Sequence, residues 1–381
     1  MSEAMIIRGG HILDMVSGTD TVGDLRIEDG RISGIGHVDL SGASDVIDAA
    51  GKYVVPGLID FHVHAFEGGS MFGCDTDMEI PSGVTTAVDA GTTGCAAYES
   101  MHSLIRSRKM RIFSLLNISS MGQLGKGFNE NMDPELVQAE KITELVKKYP
   151  DEIRGIKVRI SRNIVGSWGD VPLRKAIETA GKLGLPVCVH STDPCIPMED
   201  VACILRKGDI LCHVFHGLGS TILDEAGHVK AGLRKAHDRG VLMDAANGRN
   251  NFAFGVAREA LAQSFLPDII STDLTAATMS QGKTVRNLLF VMSKYLNMGM
   301  SIAEVVERTT AVPARAIGLT DGSGSLAAGG RADVAVLDLI DQECDFADSK
   351  KEILHGTKML TCLMTVQNGQ ILYDSNQLAH A

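Results

Sequence analysis

At 381 residues the chain is too long for one small domain and suits one large unit with an accessory domain; 44% hydrophobic and 22% charged residues are ordinary for a globular protein. Thirty-six Lys+Arg against 47 Asp+Glu leave a net charge of −11, which argues against sequence-independent nucleic-acid binding, because that needs a basic face. No stretch approaches the roughly 20 uninterrupted apolar residues of a membrane span, and the opening MSEAMIIRGG lacks the basic and apolar regions of a signal peptide, so a cytoplasmic protein is expected.

The first 55 residues read as short strands joined by tight turns: MIIRGG, HILD, DLRIEDGRISGIG and DVIDAAG. Asp29-Gly30 sits between two alternating runs, which is a hairpin signal. These strands are too few for a stable sheet alone.

From 56 to 318 the pattern changes to short apolar runs, each followed by a helical pattern. The runs are LIDFHVH, TTAVDAG, RIFSLLN, IRGIKVRIS, LPVCVHS, ILCHVFH, VLMDAAN and DIISTDL, eight in all. Asp133 caps and Pro134 opens a predicted helix through ELVQAEKITELVKKY, and further helices are expected at VPLRKAIETAGKLG, HVKAGLRKAHDRG and NFAFGVAREALAQ. Near-continuous apolar strands alternating with helices predict a parallel sheet, and eight such units predict an α/β fold of the (β/α)8 TIM-barrel kind. A doubly wound open sheet is the alternative, weakened because no GxGxxG follows the first strand.

The last residues, 319–381, return to strands, and Asn368-Gly369 in VQNGQILYD repeats the hairpin device. The expectation is that 1–55 and 319–381 pair into one small β-sandwich beside a barrel over 56–318. The eight cysteines include no CxxC pair; Cys188 and Cys212 lie inside apolar runs near histidines and read as buried thiols of a reducing compartment.

Barrels carry their chemistry at the C-terminal ends of the strands. The polar residues there are His62 and His64, Lys157, His190, His213 and Asp273. A histidine at a strand end is ordinarily a hydrogen-bonded core residue, and an aspartate there is commonly a helix cap. A lysine inside an apolar run is anomalous, because an unpaired ammonium is costly to bury. One barrel would bring all six to a single rim, and imidazole with carboxylate is the ligand set of zinc and related divalent ions.

The segments PGLIDFHVH, GIKVRIS, VCVHS, CHVFHG and STD, in that order, resemble the amidohydrolase superfamily in its binuclear branch. The flanks GRISGIG…DAAGKYVVPGLID and GSLAAGGRADVAVLD resemble its passages between sandwich and barrel, so the likeness spans the chain. It implies two divalent metal ions, zinc being the expected metal: His62, His64 and Asp273 on one, His190 and His213 on the other, and Lys157 bridging them as a CO2-derived carbamate. Asp273 is then also the proton carrier of catalysis. His216 competes with His213; as a strand residue three further on it faces the other way and is expected to be structural or substrate-binding.

Arg159, two residues past Lys157, either anchors a substrate carboxylate or pairs with a structural acid. Asn250 or Asn251, in the glycine-bearing loop after the seventh run, is a candidate substrate contact. Dihydroorotases usually carry an arginine two residues past HxH, where this chain has Phe66. The stretch from His62 to Gly94 looks instead like the subgroup labelled amidohydrolase/deacetylase metallohydrolases, which implies a small carboxylate-bearing ester or amide substrate such as an O-acetyl α-hydroxy acid or N-acyl amino acid. A cyclic amidohydrolase or a nucleobase deaminase is the alternative. Homo-oligomerisation is expected, with no nucleic-acid or membrane partner.

Overall fold

A computed structural model of the chain describes residues 4–279 and 282–380. The N-terminal part forms β1 (Ala4–Asp14), β2 (Thr19–Glu28), β3 (Arg31–Gly36), β4 (Ala43–Asp48) and β5 (Tyr53–Pro56). β1 changes neighbour along its length, pairing in parallel with β4 over Ala4–Arg8 and with β5 at His11–Ile12. The switch coincides with a bulge between Ile7 and Gly10, where Gly9 has φ +67°. Gly10 lets the chains close up, since a Cβ there would stand 2.4 Å from Val54 Cγ2.

β5 runs through Gly57 directly into the barrel: β6 (Leu58–Val63), β7 (Val84–Asp89), β8 (Arg111–Asn117), β9 (Ile153–Arg159), β10 (Val187–His190), β11 (Ile210–Cys212) and β12 (Leu242–Asp244). These seven pair in parallel and in sequence order. The eighth expected run, DIISTDL, is not a regular strand. It closes the ring through parallel bridges at Asp244–Ile269 and Val63–Leu274, and Asp273 between them has φ +54°, which breaks the extended path. The interior packs Ile59, Phe61, Val88, Phe113, Leu115 and Ile210 against Val312 and Ala314 of the helix Ala311–Ala316.

Three of the four expected helices form, at Val171–Leu183, Ala231–Asp238 and Phe254–Ala262. The fourth starts later than expected. Asp133 accepts from Glu135 N and starts only a 3-10 turn, Pro134–Leu136, and the helix proper is Ala139–Lys148. Val137, extended at ψ 118°, separates the two.

The chain returns in β13 (Val334–Ala347), β14 (Ile353–Gln367), β15 (Gln370–Asp374) and β16 (Ala379–His380). With β1–β5 they make one nine-stranded sheet, joined where β13 pairs with β5. Both predicted turns are present: Asp29 and Gly30 have φ 50° and 73°, Asn368 and Gly369 φ 51° and 77°, the double positive φ that suits hairpin twist. The two tips touch, because a Cβ on Gly369 would lie 2.8 Å from Gly30 Cα. Leu25, Ile27, Val334 and Val366 lie in this sheet's core.

Candidate active site

His62 and His64 meet Asp273 at the mouth of the barrel. His64 Nε2 is 3.2 Å and His62 Nε2 3.5 Å from Asp273 Oδ1. Simple strand alternation does not place them, because the β6 register shifts between Asp60 and Val63, and such irregularities re-aim side chains. Lys157 reaches in from β9, wholly buried, with Nζ 3.2 Å from His62 Nε2 and 3.7 and 3.9 Å from the sulfurs of Cys188 and Cys212. His190 at the end of β10 and His213 just beyond β11 face each other, Nδ1 to Nε2, at 2.9 Å. All six expected residues therefore lie around one space.

The neighbours decide where the ring hydrogens sit. Ala246 O can only accept, so His213 Nδ1, 2.7 Å away, donates and Nε2 keeps its lone pair. Thr92 gives its hydroxyl hydrogen to Asp89 Oδ2 at 2.5 Å, so it accepts from His64 Nδ1 at 2.9 Å. His62 Nδ1 lies 3.3 Å from Asp244 Oδ2, which Ser271 Oγ also orients by donating to Oδ1 at 2.6 Å. The Nε2 lone pairs of His62 and His64 thus meet Asp273 Oδ1 acceptor against acceptor, while His213 Nε2 faces His190 Nδ1 at 2.9 Å and Lys157 Nζ stands 3.2 Å from His62 Nε2. Such a set is matched by a cation, and outer partners that fix each ring are the usual support of a metal ligand. The residues present fit divalent metal ions.

The electrostatics agree. Burial holds His62 and His190 well below the usual imidazole range and His213 at about 3, so these rings are neutral at physiological pH. Burial works to raise Asp273, but His64, His62 and His213 outweigh it and hold its carboxyl below the normal range. Burial works against the Lys157 ammonium, but Cys188, Cys212 and the carboxylates of Asp273 and Asp244 outweigh it and push the group above the usual lysine range; no carboxylate is at hydrogen-bond distance from Nζ among the described residues. His213 and Asp273 adopt positive φ, 63° and 54°, a strained conformation for a residue with a Cβ that surrounding contacts must hold in place.

Above this group opens a cavity of about 650 Å³, lined by His64, His190, Asp273, Arg159 and Asn250 among others. Arg159 Nη1 is 3.7 Å from Glu130, a buried acid already served by Asn117 at 2.9 Å, and Arg159 also lines the cavity. His216 is not among the lining residues. Left-handed His213 ends the alternation assumed for it, and His216 lies fully buried with its Nε2 unpartnered.

Residues 53–371 match the Amidohydrolase family. The chain belongs to that family. A deacetylase of Agrobacterium fabrum is 36% identical over 341 residues, covering 85% of this chain and 80% of the relative. A crystal structure of an adenine deaminase superposes with a TM-score of 0.90 at 30% identity, over 98% of this chain and 100% of the other. One of a dihydroorotase gives 0.88 at 30%, over 98% of both. The protein is thus a hydrolase of the amidohydrolase superfamily, built on that superfamily's TIM barrel with a separate β domain. The three names differ in substrate, so family membership alone does not choose one.

Sequence reading offered Asn251 only as a candidate substrate contact, not as a partner of Asp273, and it missed several other residues around this amidohydrolase site. Asn251 donates to Asp273 Oδ2 at 2.7 Å and accepts from Thr192 Oγ1 at 2.9 Å. Asp89, Thr92 and Asp244 fix the histidine rings, and Glu130 faces Arg159. Asp89 and Asp244 had a usable signal, each being an acid that ends a barrel strand; Asn251 and Glu130 sit in loops without periodicity. Among the described residues no helix is long and apolar enough to cross a membrane.

Proposed function

We propose that this protein is a binuclear metal-dependent hydrolase that removes an acyl group, most simply acetyl, from a small carboxylate-bearing ester or amide, an O-acetyl α-hydroxy acid or an N-acyl amino acid. The observation that carries the reading is the inward set of His62, His64, His213 and Asp273 acceptors around a buried Lys157 with no acid partner. His62, His64 and Asp273 would hold one ion, His190 and His213 the other, and Lys157 as its carbamate both. Zinc is the expected metal. Ions bound there supply Lewis acidity toward the acyl carbonyl and toward water.

The chain's own residues do the rest. Asp273, ionised and held by Asn251, takes the proton of the attacking water at Oδ1 and returns it to the leaving oxygen or nitrogen. Arg159 holds the substrate carboxylate from the cavity wall. Phe72 and Leu218 give the same cavity an apolar part of its wall. The division into 1–55 with 319–381 and 56–318 belongs to this reading, supported by the strands each segment contributes. So does a cytoplasmic location, supported by eight free cysteines.

The A. fabrum relative's name, deacetylase, favours acyl transfer to water. Phe66, where a dihydroorotase would carry its arginine, is nearly buried and packs against Gly69. Ser191-Thr192-Asp193 after His190 supply no glutamate for deamination. The test is a screen of O-acyl hydroxy acids, N-acyl amino acids, cyclic ureides and adenine, with zinc and bicarbonate supplied. Acetate release from the first two classes is expected; ammonia from adenine, with no acetate, overturns the reading. In Lys157→Ala, metal analysis should find at most about one ion per chain and hydrolysis should fall at least about 10³-fold. Full metal content with full activity would sink the carbamate.

A further inference from the structure

The longest hairpin of the β domain ends inside the candidate active site. β13 and β14 have 14 and 15 residues, more than pairing with β5 and β15 requires. Their far halves lie along the helix Leu288–Asn297, where Phe346 packs on Phe290 with ring centroids 4.8 Å apart. Ser349 and Lys350 at the tip line the cavity.

The tip is pinned in place. Asp348, 4% exposed, accepts at Oδ2 from Phe254 N (2.9 Å) and at Oδ1 from Lys350 N and Glu352 N (2.8 Å each). Ser349 N donates to Phe252 O at 2.9 Å. The lysine stem folds over Gly217, where a Cβ would stand 2.7 Å from Lys350 Cε and 3.2 Å from Nζ. A glycine there leaves room for the ammonium at the cavity rim. The acids nearby are engaged elsewhere: Glu352 pairs with Arg258, Asp348 with backbone N–H groups, and Asp193 lies 3.8 Å from Arg162. Lys350 has no carboxylate partner among the described residues. Arg249, exposed, and Arg159, half-buried, line the same cavity. Three cations face two acids, Asp193 and Asp273, in a protein whose net charge is −11. A cation that binding desolvates needs an anion in return.

We propose that Lys350, carried in from the other domain, determines specificity by receiving a second, distal anionic group of the substrate. The preferred substrates are then acyl derivatives of dicarboxylic acids, with one carboxylate on Arg159 and the other on Lys350 beside Arg249. This rests on the hydrolase reading above.

The test compares kcat/KM for matched pairs, N-acetyl-glutamate with N-acetyl-glutamine and O-acetyl-malate with O-acetyl-lactate, in zinc-loaded enzyme. Wild type should prefer the diacid of each pair, and Lys350→Met should lower that preference about tenfold. Lys351→Gln, one residue on and outside the cavity lining, should retain it. An unchanged preference in Lys350→Met overturns the proposal. If wild type hydrolyses none of the four, the reading of the reaction fails, and calorimetric binding of glutarate and butyrate decides the site. Glutarate binding about tenfold weaker in Lys350→Met, with butyrate unchanged, supports it; equal glutarate affinity overturns it.

Discussion

The barrel mouth and the β domain are both built from strands, yet they bury opposite chemistry. The β-domain core is apolar, with Leu25, Ile27, Ile47, Val334 and Val366 closed by two tight turns. The mouth buries four histidines, Lys157, Asp89, Asp244 and Asp273, several against one another's preference, on a backbone where His213 and Asp273 are left-handed. Burying polar groups without donors to match their acceptors costs stability, whereas burying methyl and methylene groups supplies it. The β domain and the outer barrel layer stabilise the fold; the mouth draws on that stability to hold a site poised for cations. Mutations in the two regions should therefore separate activity from stability.

The largest effect is expected at Asp273. Asp273→Asn keeps shape and a metal-facing oxygen but removes the proton acceptor, so kcat should fall about 10³-fold. A variant that keeps more than about a tenth of wild-type kcat would break the assignment of Asp273 as proton carrier.

The reverse separation is expected at Leu25, fully buried in β2. Leu25→Ala should cost about 3 kcal/mol by urea unfolding, through lost burial and the cavity left behind. Its kcat/KM per folded molecule should match wild type. A comparable loss of activity would mean that the β domain shapes the mouth through more than the β13–β14 tip.

His216 lies between the two regimes. It sits beside the site, yet burial lowers its pKa to about 4 from 6.5. The folded value lies below the unfolded one, so above pH 6.5 both states are neutral and the group has no effect. As pH falls from 6.5 toward 4 the unfolded chain gains a proton that the folded chain refuses, and stability is lost. Full traverse of that window costs roughly 2 to 3 kcal/mol. Urea midpoints of wild type at pH 7.5 and 5 should differ by more than those of His216→Met. Equal pH dependence would show that His216 is not held neutral.

How much of this was legible depended on range. Asp29-Gly30 and Asn368-Gly369 announced their hairpins because a two-residue turn is a local event, and both formed with double positive φ. The eight barrel runs were legible from their apolar character. The last of them closes the ring without becoming a strand, because Asp273 leaves the extended region, and no residue type in STDL signals that. The ligand candidates could be read because they end strands that one topology gathers. Thr192 and Glu130 could not, and Asn251 was legible only as a candidate substrate contact, because all three sit in loops whose conformation only tertiary contacts determine. The alternation argument for His216 does not apply for the same reason: it was carried three residues past His213, where the chain turns left-handed.

Asn251 offers the smallest and most discriminating test of the mouth. Its amide spans two loops, accepting from Thr192 and donating to the Asp273 oxygen that the histidines do not face. A neutral donor on a carboxylate favours its charged form and fixes its direction. Asn251→Ala leaves the metal-facing side intact, so metal content should be retained. It removes one bond to Asp273, the proposed proton carrier, and kcat should fall about tenfold, the size of one lost hydrogen bond to a charged group. Because the carboxyl loses a stabilising donor, the acidic limb of the kcat–pH profile should move to higher pH. Asn251→Asp places a second carboxylate against Asp273, and like charges raise the pKa further, so that limb should move more than in the alanine variant. A fall in kcat with no movement of the limb in either variant would assign Asn251 to the cavity wall and remove it from the support of Asp273.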